Sequence, residues 1–112
     1  MVEDTVLKSV RRYLATLGSV GIHARRAVLF GSFARGDASG FSDIDLIVIA
    51  PEFDGSRELS LIKRLWQATG SADNKIEPIP CGEQEWETDQ CRPILEIARR
   101  EGVIIATIGN VS

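Results

Sequence analysis

Apolar side chains at Val6, Val10, Tyr13, Leu14 and Leu17 recur at steps of three and four, with Lys8, Arg11 and Arg12 on other faces. That period predicts an amphipathic first helix, capped at Asp4 or Thr5 and stopped by Gly18 and Gly21. Ala27-Val28-Leu29-Phe30 is a short apolar run ended by Gly31 and reads as a buried strand. Residues 31–43, rich in Gly, Ser and Asp, read as loop or broken helix. The run Ile44-Asp45-Leu46-Ile47-Val48-Ile49, stopped by Pro51, is apolar at nearly every position, which fits a strand covered on both faces. Asp43 and Asp45 at its start go against that trend.

A second helix is expected to carry Leu59, Ile62, Leu65 and Trp66 on its apolar face, with Ser56 as cap and an end near Gly70. Lys75 to Pro80 reads as a third strand, and its two prolines predict a frayed far end or an edge position. Glu83, Glu85, Glu87 and Asp89 surround Trp86 in what reads as a solvated acidic segment, suited to the rim of a partner interface. Pro93 opens a third helix with Ile94, Leu95, Ile97 and Ala98 inward and Gly102 as its cap, and Val103 to Ile108 forms a last strand. No internal repeat and no low-complexity linker interrupts the chain. The order predicts a small α/β domain of the α+β type over residues 1–112, with a mixed sheet of about four strands and three main helices.

The 112 residues are 44% hydrophobic and 26% charged, which suits one globular core and excludes a disordered tail or a disulfide scaffold. The net charge of −3 is uneven: residues 1–50 carry six basic and five acidic side chains, residues 51–112 seven and eleven. No basic stripe dominates, so a broad nucleic-acid surface is not expected. Cys81 and Cys91 form no C-x-x-C pair and the single His23 is remote in sequence, which excludes a structural zinc site. Two reduced thiols, no apolar run of about 18 residues and no basic-apolar leader point to a cytoplasmic protein without a membrane segment.

The chemistry concentrates in Gly31-Ser32-Phe33-Ala34-Arg35-Gly36-Asp37 and Ser42-Asp43-Ile44-Asp45. Residues i and i+2 of a strand share a face, so Asp43 and Asp45 project together. Two like charges side by side repel unless a cation sits between them, and hard oxygen ligands suit Mg²⁺ with substrate phosphates. A strand ending in Gly-Ser before a short helix presents backbone N–H groups without intrahelical acceptors, and Gly31 allows close approach of a phosphate. Ser32 adds a hydroxyl, and Arg35 a positive charge that serves either substrate or loop. Glu77, in Lys75-Ile76-Glu77, supplies a third carboxylate if it faces the site while Ile76 packs behind. The set suits a nucleoside triphosphate with Mg²⁺. Capping by Ser32, a turn role for Asp37 and a surface position for His23 are the plain structural readings of those residues.

Gly31-Ser32, ten residues, then Asp43-x-Asp45 resembles the nucleotidyltransferase signature of the DNA polymerase beta superfamily. The Ala34-Arg35-Gly36-Asp37 and Ser42-Asp43-Ile44-Asp45-Leu46 context resembles its minimal members, the MNT proteins. The resemblance implies a palm-like sheet that transfers a nucleoside monophosphate by two-metal catalysis. Asp43, Asp45 and Glu77 would hold two Mg²⁺ ions, and Gly31 and Ser32 the triphosphate, with ATP as the donor. Glu77 departs from the family's usual Asp, and its extra methylene shifts the carboxylate oxygens. Minimal members pair with helical HEPN-type RNase toxins, so the resemblance further implies AMP transfer to a hydroxyl of such a partner, a tyrosine first. Two alternatives stay open: an antitoxin that neutralises by binding alone, and a small-molecule, aminoglycoside-type transferase. Self-association is also left open.

Overall fold

Helix α1 (Asp4–Ser19) buries Val6, Val10, Tyr13, Leu14 and Leu17 along the stripe that the sequence marks. Its end is fixed by two backbone bonds: Ile22 N–H donates to Leu17 O at 2.9 Å and Gly21 N–H to Gly18 O at 3.4 Å. That pairing needs a left-handed residue at the turn, and Gly21 supplies it with φ +91°. The computed structural model describes residues 4–36, 43–55, 59–72, 75–88 and 92–106, without the side chains at 32, 71, 72 and 106. Ser56, Asp37, Ser42 and Cys91 therefore lie outside the described residues.

After α1 come β1 (Arg26–Phe30), α2 (Ser32–Arg35), β2 (Ile44–Ile49) and a 3-10 turn (Pro51–Phe53). Then follow α3 (Leu59–Gln67), α4 (Thr69–Ala72), β3 (Ile76–Cys81), α5 (Glu83–Thr88), α6 (Pro93–Glu101) and β4 (Val103–Ala106). The four strands form one sheet in the order β3-β2-β1-β4. β1 is antiparallel to both β2 and β4, whereas β2 and β3 are parallel. The fold is thus α+β with a mixed four-stranded sheet, as the pattern predicts.

Alternation along the strands divides the core between two layers. Ala27, Leu29, Ile44, Leu46, Val48, Ile76 and Ile105 face α1 and α3. Val28, Phe30, Ile47, Ile49 and Cys81 face Trp86 of α5 and Leu95 and Ala98 of α6. Helices on both faces explain why β2 is apolar almost throughout. Tyr13 O–H donates to Leu65 O at 2.6 Å and ties α1 to α3. β3 is an edge strand, as its prolines predict. Ile44 N–H donates to Lys75 O and Ala50 N–H to Cys81 O, so the odd-numbered residues of β3 turn their backbone towards β2. Pro78 and Pro80 fall on the outward-turned positions, where no ladder partner is lost.

Several expectations about single side chains need correction. Trp86 is not on a solvated rim: it is 7% exposed inside α5. The Arg99 guanidinium stacks 4.9 Å from its ring centroid and donates to its carbonyl. The helix forms here because Asp54, 29 residues upstream, accepts from Glu83 N–H at 3.0 Å and from Gln84 N–H at 3.1 Å. Conversely, Trp66 is 47% exposed, and Leu59 is exposed rather than inward. On α6, Leu95 and Ala98 are buried, but Ile97 is 40% exposed.

Candidate active site

Antiparallel pairing brings the C-terminal end of β1 beside the N-terminal end of β2, with Phe30 opposite Asp45. Parallel pairing puts the N-terminal end of β3 there too, with Asp45 opposite Glu77. The bond from Ile44 N–H to Lys75 O, 2.8 Å, fixes that register at the site itself. Ile44 and Ile76 point into the α1 layer, so Asp45 and Glu77 share the other face. Further along the strands that face is covered by Trp86, Leu95 and Ala98, and at the carboxylate end it opens. Asp43 and Glu77 are exposed and Asp45 is half-buried.

β1 leaves the sheet through Gly31, whose φ of +78° is a left-handed conformation. Its carbonyl accepts from Ala34 N–H at 3.1 Å and Arg35 N–H at 3.0 Å and so starts α2. A Cβ at Gly31 would overlap the Asp45 carboxylate and come within 3.2 Å of its Cγ. Glycine is therefore required twice, by conformation and by space. Ser32 begins α2 directly beside this contact.

The carboxylates are electrically coupled. Glu77 shares a hydrogen bond with Asp43; this, then burial and the charges of Asp43 and Asp45, pushes the Glu77 carboxyl above its ordinary value. Burial, then the Asp43 charge, pushes Asp45 up, and the positive Arg35 pulls it partly back. The Arg35 charge thus acts on the carboxylate cluster.

Gly31, Arg35, Asp43, Asp45 and Glu77 come together at one end of the sheet, with the backbone of Ser32 alongside. His23 does not join them. It bonds Glu52 at the opposite end of the strands, Nδ1 to Oε2 at 2.8 Å. Sequence reading gave no site role to Lys75, whose carbonyl sets the β2–β3 register; its place two residues before Glu77 was the available signal. All three candidate ligands are oxygen donors, which suits Mg²⁺. The Asp43 charge helps to raise both Asp45 and Glu77, a repulsion that a divalent cation relieves. Among the described residues no three acidic, His or Cys side chains already converge on one point.

The family model of the nucleotidyltransferase domain matches residues 7–96, most of the chain and every candidate site residue. The chain belongs to the nucleotidyltransferase domain family. Nucleotidyl transfer is the general activity of that family, and its domains use a nucleoside triphosphate and a divalent metal. Among solved structures, a Sulfolobus solfataricus protein provisionally named a nucleotidyltransferase shares the fold. The TM-score is 0.60 at 17% identity, over 93% of this chain and 87% of that one. No curated protein matches. Among the described residues no helix of this nucleotidyltransferase is long and apolar enough to cross a membrane.

Proposed function

We propose that the protein transfers AMP from ATP to a hydroxyl of a partner protein, and that it serves as the antitoxin of a helical HEPN-type RNase. The observation that carries the transfer reading is the alignment of Asp45 with Glu77 across the β2–β3 ladder, with Gly31 packed on Asp45. Asp43, Asp45 and Glu77 would hold Mg²⁺, two ions in the full arrangement. Mg²⁺ held by these carboxylates would supply charge to activate the attacking oxygen and to neutralise the triphosphate and the leaving pyrophosphate. Gly31, with no side chain, would let a phosphate approach the backbone where β1 passes into α2. Arg35 places its charge on the same end of the sheet. The partner and the choice of ATP rest on the resemblance to the MNT proteins.

The test is transfer of label from α-labelled ATP with Mg²⁺, using the purified chain and the product of a neighbouring helical gene. Label on the partner that disappears with Asp43→Ala supports the reading. A stable complex without label, in which Asp43→Ala still neutralises the toxin, replaces it with binding alone.

A further inference from the structure

We propose that the apolar surface beside Glu77, formed by Ile79 of β3 and Ile94 of α6, seats the ring of an aromatic hydroxyl. The acceptor is then a phenol, as on a tyrosine side chain, and not the aliphatic hydroxyl of serine or threonine. This rests on the transfer reading and names the acceptor class for the same site. Phe30 of β1, Asp45 of β2 and Glu77 of β3 are neighbours in one row across the sheet. Gly31 lies at the β1 end of that row and Glu77 at the other end, on the outer strand. In-line displacement puts the attacking oxygen and the leaving pyrophosphate on opposite sides of the phosphorus. With the triphosphate on the Gly31 side, the acceptor enters from the Glu77 side. There the phenol oxygen bonds the α-phosphorus of ATP and the bond from that phosphorus to the bridging oxygen breaks. Pyrophosphate leaves with the electron pair, and the phenol proton passes to water.

The surface that borders this entrance is apolar. Ile79 follows Glu77 by two residues, so it shares the same face of β3, roughly 7 Å along the strand. A tyrosine side chain covers about that length from its Cβ to its hydroxyl. Ile79 is half-buried: it packs against the cluster that contains Val28, Ile47 and Leu95, and the strand that bears it is the last of the sheet. Ile94, also half-buried, packs against the same cluster. The bond from Arg92 to Pro80 O, 3.5 Å, draws the start of α6 to β3 and so brings Ile94 to the Ile79 side.

These features select an aromatic acceptor. A ring laid on Ile79 removes apolar surface from water while its hydroxyl reaches the carboxylate row. A serine or threonine hydroxyl stands one carbon from its backbone, so it would bring the peptide itself against the carboxylates and leave Ile79 uncovered. At the other end of the row Phe30 is only 8% exposed and presents no comparable surface.

Two measurements separate the seat from the transfer. The first needs no chemistry: the full chain with isotope-labelled isoleucine methyl groups is titrated with N-acetyltyrosinamide, N-acetylserinamide and ATP in turn. Ring-current shifts of the Ile79 and Ile94 methyls in the NMR spectrum are expected with the tyrosine compound alone. The second is transfer from α-labelled ATP with Mg²⁺ to a tyrosine peptide and to its serine counterpart. Ile79→Thr keeps the β-branch that suits a strand. It should lower kcat/KM for the tyrosine peptide about tenfold and leave KM for ATP unchanged. If Ile79→Thr does not fold, as judged by circular dichroism, the methyl titration alone decides. Methyl shifts without any transfer support the seat and overturn the transfer reading. Transfer that is indifferent to Ile79→Thr, or equal for the two peptides, overturns the seat and leaves the transfer reading standing. Methyls unmoved by the tyrosine compound, or moved by ATP instead, also overturn the seat.

Discussion

Asp45 and Glu77 stand directly opposite each other across the parallel β2–β3 ladder, at the end of the sheet face that α5 and α6 leave uncovered. Burial and the Asp43 charge raise the Asp45 carboxyl above the value it has in the unfolded chain. Its ionisation therefore costs stability above the folded pKa. Below the unfolded pKa both states are protonated and the cost vanishes. In metal-free buffer, Asp45→Asn should raise Tm at pH 7, leave it unchanged at pH 3, and abolish nucleotidyl transfer. Thermal melts at both pH values check the sign; a lower Tm at pH 7 contradicts it.

Gly31→Ala should damage fold and chemistry together. A left-handed φ costs an L-residue about 1–2 kcal/mol, and the added methyl displaces the Asp45 carboxylate. Misplacement of a reacting group by about 1 Å can cost ~100-fold in rate. Denaturant melts and initial rates on the same preparation separate the two losses. Full activity in a folded variant would mean that Asp45 need not hold its observed position.

Asp54→Ala should be a purely structural change. It removes the carboxylate that accepts from the Glu83 and Gln84 N–H groups, a loss of about 1–2 kcal/mol for a cap. Asp54 follows the C-terminal end of β2, far from the carboxylates at its start. Transfer per folded molecule should stay unchanged while the urea midpoint falls.

Glu52 carries an opposite pH signature. Burial works to raise its carboxyl, but hydrogen bonds from the His23 ring and backbone N–H outweigh it and hold it below its usual range. The contribution is present above the unfolded pKa and is lost as pH falls through the folded one. Glu52→Gln should cost roughly 1 kcal/mol at neutral pH and progressively less in acid. An equal loss at pH 3 and pH 7 would show that the carboxylate charge is irrelevant.

The two tryptophans show what the sequence could and could not reveal. Val6 to Leu17 and the β2 run were legible because their burial follows local period. Asp43, Asp45 and Glu77 were legible because i, i+2 spacing and one strand pairing bring them together. Trp86 was misread because α5 is capped by Asp54, 29 residues away, and is covered by Arg99, 13 residues away. No window around an acidic run contains those partners. Trp66 was misread because its period fits a buried stripe, whereas α3 turns mainly Leu65 to the core. Trp86→Ala should therefore cost about 3–5 kcal/mol and Trp66→Ser much less, and iodide should quench the Trp66 emission preferentially.

β3 lies at the margin of the sheet, and it contributes one of the three carboxylates. An outer strand is the first part of a sheet to open in local unfolding. Loosening of β3 alone would carry Glu77 away while β1, β2 and the α1 layer stay packed. A fluctuation far smaller than global unfolding would therefore take the carboxylate cluster apart and, on closing, restore it.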